Sequence, residues 1–133
     1  MPTLPQILHT PHCRAQWRGL LLALVLVVSF AALSPASHAP TLGASDKLDH
    51  LLAFGALGLA AALSLQAGRS RSTAAGAGLL VYGALIEILQ TLVPGRHADA
   101  MDLAVDAAGI AAGITLAWLL RQRWPVPAGR QAA

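Results

Sequence analysis

Apolar and polar positions alternate along this chain in long blocks, giving four apolar stretches separated by short polar connections. Leu51 to Gly68 carries no charge over 18 residues, Thr73 to Val93 runs for 21 with Glu87 as its only charge, and Leu103 to Leu120 runs for 18 broken only by Asp106. A helix needs roughly 20 residues, with a range of about 17–25, to cross the hydrocarbon of a bilayer. These three stretches are long enough. The first, Gly19 to Leu33, has 15 residues and spans only if Trp17 and Arg18 reach outward and Ser34 to Ala36 extend it. The pattern predicts an all-α integral membrane bundle of four transmembrane helices over residues 19–120, with a leader at 1–18 and a tail at 121–133.

Composition removes the alternatives. Soluble domains carry about 25% charged residues, whereas this chain has 11% against 56% hydrophobic. A chain of 133 residues has too little interior to hide that much apolar surface from water, and disordered chains are apolar-poor. The net charge of +3 raises the question of nucleic acid, which the placement of the nine basic residues answers. Seven of them (Arg14, Arg18, Arg69, Arg71, Arg121, Arg123 and Arg130) flank one end of the stretches, and two, Lys47 and Arg96, flank the other. That bias reports orientation rather than a nucleic-acid footprint, and it predicts that both termini are cytoplasmic. Cys13 is the single cysteine and has no partner for an internal disulfide or a thiol metal pair.

The first stretch has a second reading. Arg14 and Arg18, the apolar run and Ser37-His38-Ala39 resemble a secretory signal with its cleavage site. The length of the run, the long polar leader before it and Pro40 just after the cut favour a retained helix.

With the predicted orientation, all six acidic residues fall on or open toward the extracytoplasmic side. Asp46, Lys47, Asp49 and His50 precede the second stretch, and Arg96, His97, Asp99 and Asp102 lie between the third and fourth. Glu87 and Asp106 sit inside apolar stretches, each about 5–9 Å below the same end at 1.5 Å per residue. Gly83, Glu87 and Gln90 share one helical face, as do Asp102, Asp106, Gly109 and Gly113. Glycines on such a stripe allow close helix approach, so the acids are expected to face the bundle interior. Intramembrane carboxyls cost about 2.5–3.5 kcal/mol each on insertion scales, which makes them functional or paired. Pairing alone, with Glu87 bonded to Gln90, Asp106 or Arg96 as packing glue, explains one buried acid better than it explains the whole collection. The candidate binding cluster is Asp46, Lys47, His50, Glu87, Gln90, Arg96, Asp102 and Asp106. Asp46 and Asp49 also suit the first turn of a helix as dipole partners. Carboxyl oxygens suit hard metals, but no HExxH or comparable motif fixes a ligand set, so neither metal nor cofactor is expected. His9, His12 and His38 are expected in solvent, and Trp17, Trp118 and Trp124 as interfacial anchors.

Asp46-Lys47-Leu48-Asp49-His50-Leu51-Leu52-Ala53-Phe54 resembles the DKxxHfxaf opening of the VanZ-like membrane family. Glu87 with Gln90, then Pro94-Gly95-Arg96, then Asp102 with Gly109 and Gly113, are similar to that family's ExxQ, PGR and DxxxNxxG blocks in the same order. Asp106 departs from the pattern, which usually has Asn there. The resemblance implies a small multi-helix protein of the bacterial inner membrane, linked through the family's founding member to resistance to the glycopeptide teicoplanin. It implies no reaction and no cofactor.

Three functional classes fit these residues. The site binds or modifies a lipid-linked or anionic cell-envelope component, with Arg96, Lys47 and His50 as positive groups suited to forked or ionic contacts and Glu87 and Asp106 as acid/base or orienting groups. Alternatively the bundle is structural or binds a partner protein, or it is a small proton- or ion-coupled carrier, for which intramembrane acids are the usual material.

Overall fold

The computed structural model describes residues 3–35, 37 and 45–125. Among these described residues five helices follow one another: α1 (Leu4–His9), α2 (Pro11–Leu33), α3 (Asp46–Ser64), α4 (Arg69–Gln90) and α5 (Ala100–Arg123). The last four are long and apolar enough to cross a membrane, which makes the protein the all-α membrane bundle that the apolar blocks predict.

The helix ends differ from the edges of the apolar blocks because caps, not hydropathy, set them. α3 starts at Asp46 rather than Leu51, since Ser45 accepts the Leu48 amide at 3.2 Å and begins the helix five residues early. α5 starts at Ala100 behind Asp99, whose carboxyl accepts the Met101 amide at 2.8 Å. Arg69 to Ser72, the polar break between the second and third apolar stretches, is the first turn of α4, and the connection is residues 65–68. α2 begins at Pro11, with proline at the first helical position, and its 23 residues cover roughly 35 Å. It therefore spans without stretching, and the boundary expected at residue 19 falls within a continuous helix.

The leader is correspondingly not a polar arm. α1 folds back so that Leu8 packs with Ala62, Leu63 and Ala117, while Arg121 reaches the carbonyls of Leu8 at 3.2 Å and Leu65 at 2.8 Å. His9, expected in solvent, is half-buried with its Nε2 3.2 Å from the Trp124 carbonyl, whereas His12 is exposed as expected. Trp17 is half-buried as well and donates to the Ile7 carbonyl at 3.1 Å, while Trp118 and Trp124 face outward. His38, Ala39, Pro40, Pro127, Gly129 and Arg130 lie outside the described residues.

α3 and α5 form the tightest pair. A Cβ on Gly58 would lie 2.7 Å from the Ile110 carbonyl oxygen and one on Gly109 2.6 Å from that of Leu51, so the two backbones are in contact. Against this pair Phe54, Leu57, Ala61, Leu79 and Ile110 form the central core, with Leu21, Leu24, Val25 and Val28 of α2 packed on it. Tyr82 links α4 to α2, donating to the Val25 carbonyl at 3.2 Å and lying 2.9 Å from the Ser29 hydroxyl. Leu22, Leu26, Val27, Phe30, Val81, Ile88 and Leu92 point outward, a belt that water does not tolerate and lipid does.

Candidate functional site

The C-terminal ends of α2 and α4 meet the N-terminal ends of α3 and α5 at one end of the bundle, and all six acids of the chain belong to these ends. Lys47, His50 and Phe54, spaced three and four, share a face of α3; Asp99, Asp102 and Asp106 share one of α5; Gly83, Glu87 and Gln90 share one of α4. The stripes expected to turn inward do so: Glu87, Gln90, Asp102 and Asp106 are all buried.

Their contacts form three groups. In the first, the Lys47 ammonium lies 3.0 Å from Asp99 and 3.1 Å from Asp102. Asp99 is held below the usual carboxylate range, first by the Met101 amide and then by Lys47. Lys47 and Asp99 are both open to solvent, which screens the charges, so these contacts add little to stability.

In the second group, His50 Nδ1 donates to Asp106 Oδ1 at 2.8 Å, and the other ring nitrogen is 4.0 Å from Asp102. The imidazole lies parallel to the Phe54 ring, with planes 2° apart and centroids 6.3 Å apart, which fixes its orientation. Glu87 Oε2 accepts the Asp99 amide at 2.9 Å, tying α4 to the start of α5. Glu87 Oε1 and Asp106 Oδ2 are buried with no hydrogen-bond partner among the described residues. Glu87 and Asp106 do converge, each presenting an oxygen within 4.8 Å of the other and of a His50 nitrogen. Gly83 gives Asp106 its place, since a Cβ there would sit 2.8 Å from Oδ2.

The third group closes α2. Arg96 donates to the carbonyls of Ala31 at 3.2 Å and Ser34 at 3.4 Å, and Gln90 donates to that of Ala32 at 3.2 Å. These carbonyls lie in the last turn and C-cap of α2, where the helix itself supplies few donors; that of Ala31 also accepts the Ser34 amide at 3.4 Å. Arg96 also stands 3.7 Å from Asp46. It reaches that position because Val93-Pro94-Gly95-Arg96 forms a type II turn, closed by the Arg96 amide on the Val93 carbonyl at 3.1 Å with Gly95 at φ 76°. Among the described residues Arg96 pairs with Asp46 and not with Glu87, one of its expected partners. Replacing Arg96 by Ala takes the donor from the Ser34 carbonyl and leaves that of Ala31 with only the Ser34 amide at 3.4 Å, and is expected to cost about 1–3 kcal/mol. Thermal unfolding in detergent and faster amide exchange over residues 30–35 check this.

Beside these groups lies a groove of about 350 Å³ between α2, α3 and α4. Val27, Val28, Ala31, Leu52, Ala53 and Ile86 make its walls, and Asp46, Asp49, His50, Gln90 and Arg96 its polar rim. Asp46, His50, Gln90 and Arg96 of this rim belong to the candidate cluster, whereas Asp49 and the walls do not, because wall residues of α2 are indistinguishable from lipid-facing ones until the neighbouring helices are placed.

A family model described as VanZ/LLP1 matches residues 12–121. No curated protein and no solved structure matches the chain.

Proposed function

Because the chain belongs to the VanZ/LLP1 family and is a multi-pass membrane protein, we propose that it binds or acts on a lipid-linked component of the bacterial cell envelope. The observation that carries this is the groove: apolar walls that suit a hydrocarbon chain end at a rim of Gln90, Arg96 and His50 that suits a polar head. Lys47 is already committed to Asp99 and Asp102, and Arg96 to α2 and Asp46. A head group recognised by hydrogen bonds therefore fits the rim better than a bare anion.

The reading places the protein in the inner membrane with both termini in the cytoplasm and the rim outside. The end opposite the rim carries Arg14, Arg18, Arg69, Arg71, Arg121 and Arg123, as the positive-inside bias requires. In a Cys13→Ser background, Ala98→Cys is expected to react with a membrane-impermeant thiol reagent in intact cells and Ala67→Cys only after lysis. The reverse pattern would turn the rim inward and remove the envelope-facing reading.

A structural role is supported for part of the cluster, since Gln90 and Arg96 hold α2 in place. Glu87→Gln, His50→Gln and Arg96→Ala, each scored for membrane-inserted protein and for phenotype, separate the two. Loss of phenotype at normal protein levels supports a site at Glu87 and His50, and parallel loss of both readouts marks packing.

A further inference from the structure

We propose that His50, Glu87 and Asp106 form a binding site for one divalent cation of the manganese or zinc type, between α3, α4 and α5. Each residue offers one donor atom, and the three atoms lie within 4.8 Å of one another. Ligands at about 2.0–2.2 Å from an ion are roughly 3 Å apart, so small side-chain rotations complete the set. This geometry alone is common among acids. What singles these residues out is that Glu87, 6% exposed, and Asp106, 1% exposed, each keep one buried oxygen with no donor among the described residues.

The distribution of charge points the same way. Asp99 and Asp102 have Lys47, and Asp46 has Arg96. The two innermost acids have a single imidazole between them. A divalent ion held by two carboxylates and a neutral imidazole carries no net charge, the composition a low-dielectric interior tolerates best. One nitrogen and two oxygen donors suit manganese or zinc better than magnesium or calcium, which take oxygen. The donors come from positions 50, 87 and 106 on three helices, so no short motif announces them. The site stands on this geometry and not on the groove, although His50 belongs to both.

The full chain, purified in detergent and stripped with a chelator, is titrated with Mn²⁺ alone and followed by electron paramagnetic resonance. One ion per chain is expected, with hyperfine coupling to a single imidazole nitrogen that disappears in His50→Gln. Glu87→Gln and Asp106→Asn are expected to weaken binding by at least about tenfold. Asp46→Asn is expected to leave it unchanged, which separates this set from the neighbouring Asp46, His50 and Asp102, whose donor atoms also approach one another. No binding, binding without nitrogen coupling, or binding weakened by Asp46→Asn but not by Glu87→Gln would overturn the proposal. If the inner variants do not fold, the nitrogen coupling of the unmodified protein decides.

Discussion

Gly113→Val is expected to leave little or no folded protein in the membrane. A side chain at 113 is driven into the backbone of α3: its Cβ collides with the Gly55 carbonyl oxygen and stands 2.6 Å from the Leu59 amide nitrogen. Overpacking in a core usually costs about 1–3 kcal/mol because neighbouring side chains change rotamer. Backbone has no rotamer to change, so here the helices must part and the cost is larger. Parting them also separates Lys47 from Asp102 and His50 from Asp106, the polar contacts between the same two helices. Gly109→Ala acts one turn away through the Leu51 carbonyl and the Gly55 amide, and the same loss is expected. Gly78→Ala is the control, since nothing lies within 4 Å of the added carbon. It should be neutral or stabilising by up to about 1 kcal/mol. Size-exclusion profiles and thermal midpoints in detergent read all three. An unchanged midpoint for Gly113→Val would mean that α3 and α5 are not in backbone contact.

The second large effect belongs to Asp106→Leu. Asp106 is 1% exposed and is the hydrogen-bond partner of His50. Leucine fills much of the space but takes away the acceptor, leaving a half-buried imidazole N–H unsatisfied. The cost is about 1–3 kcal/mol for a neutral donor, and about 3–5 kcal/mol where the broken pair is charged. Asp106→Asn keeps an acceptor oxygen in place and restores the residue usual in the family pattern that this chain resembles. Near-native melting for Asn and a marked fall for Leu are the expected results, with loss of phenotype for Leu. Equal stability of the two variants would show that the His50 contact carries no weight. The Asn variant also parts two roles of Asp106, since the fold is expected to survive while cation binding weakens.

The faces of the helices were legible in the sequence because side-chain direction follows the 3.6-residue period. Gly83, Glu87 and Gln90, and Asp102, Asp106, Gly109 and Gly113, all turn inward as their spacing requires. The ends of the helices were less legible. Arg69 and Arg71 stand in the first turn of α4, where the helix dipole disfavours positive charge. Their charges mark a break between apolar stretches, whereas the connection is residues 65–68 and the helix has already begun at Arg69. At the other end of α3, Asp46 and Asp49 do stand in the first turn that their charge suits, but the apolar pattern begins only at Leu51 and does not mark Ser45 as the cap. Thr10-Pro11 is an ordinary helix opening, obscured because His12, Arg14, Gln16 and Arg18 interrupt the apolar pattern until Gly19. Least legible were partners distant in the chain. Nothing in the spacing of Arg96 shows that it serves the carbonyls of Ala31 and Ser34, more than sixty positions away, or that Glu87 accepts the amide of Asp99.

Native mass spectrometry of the protein extracted from its own membrane in mild detergent addresses the groove itself. The unmodified chain is expected to carry one amphiphile that survives gentle activation. Val27→Trp combined with Leu52→Trp narrows the groove from two walls at positions already exposed, so that amphiphile should be lost while the thermal midpoint of the protein stays unchanged. A chain that carries no amphiphile, or a double variant that retains it as the unmodified protein does, would contradict the assignment of the groove.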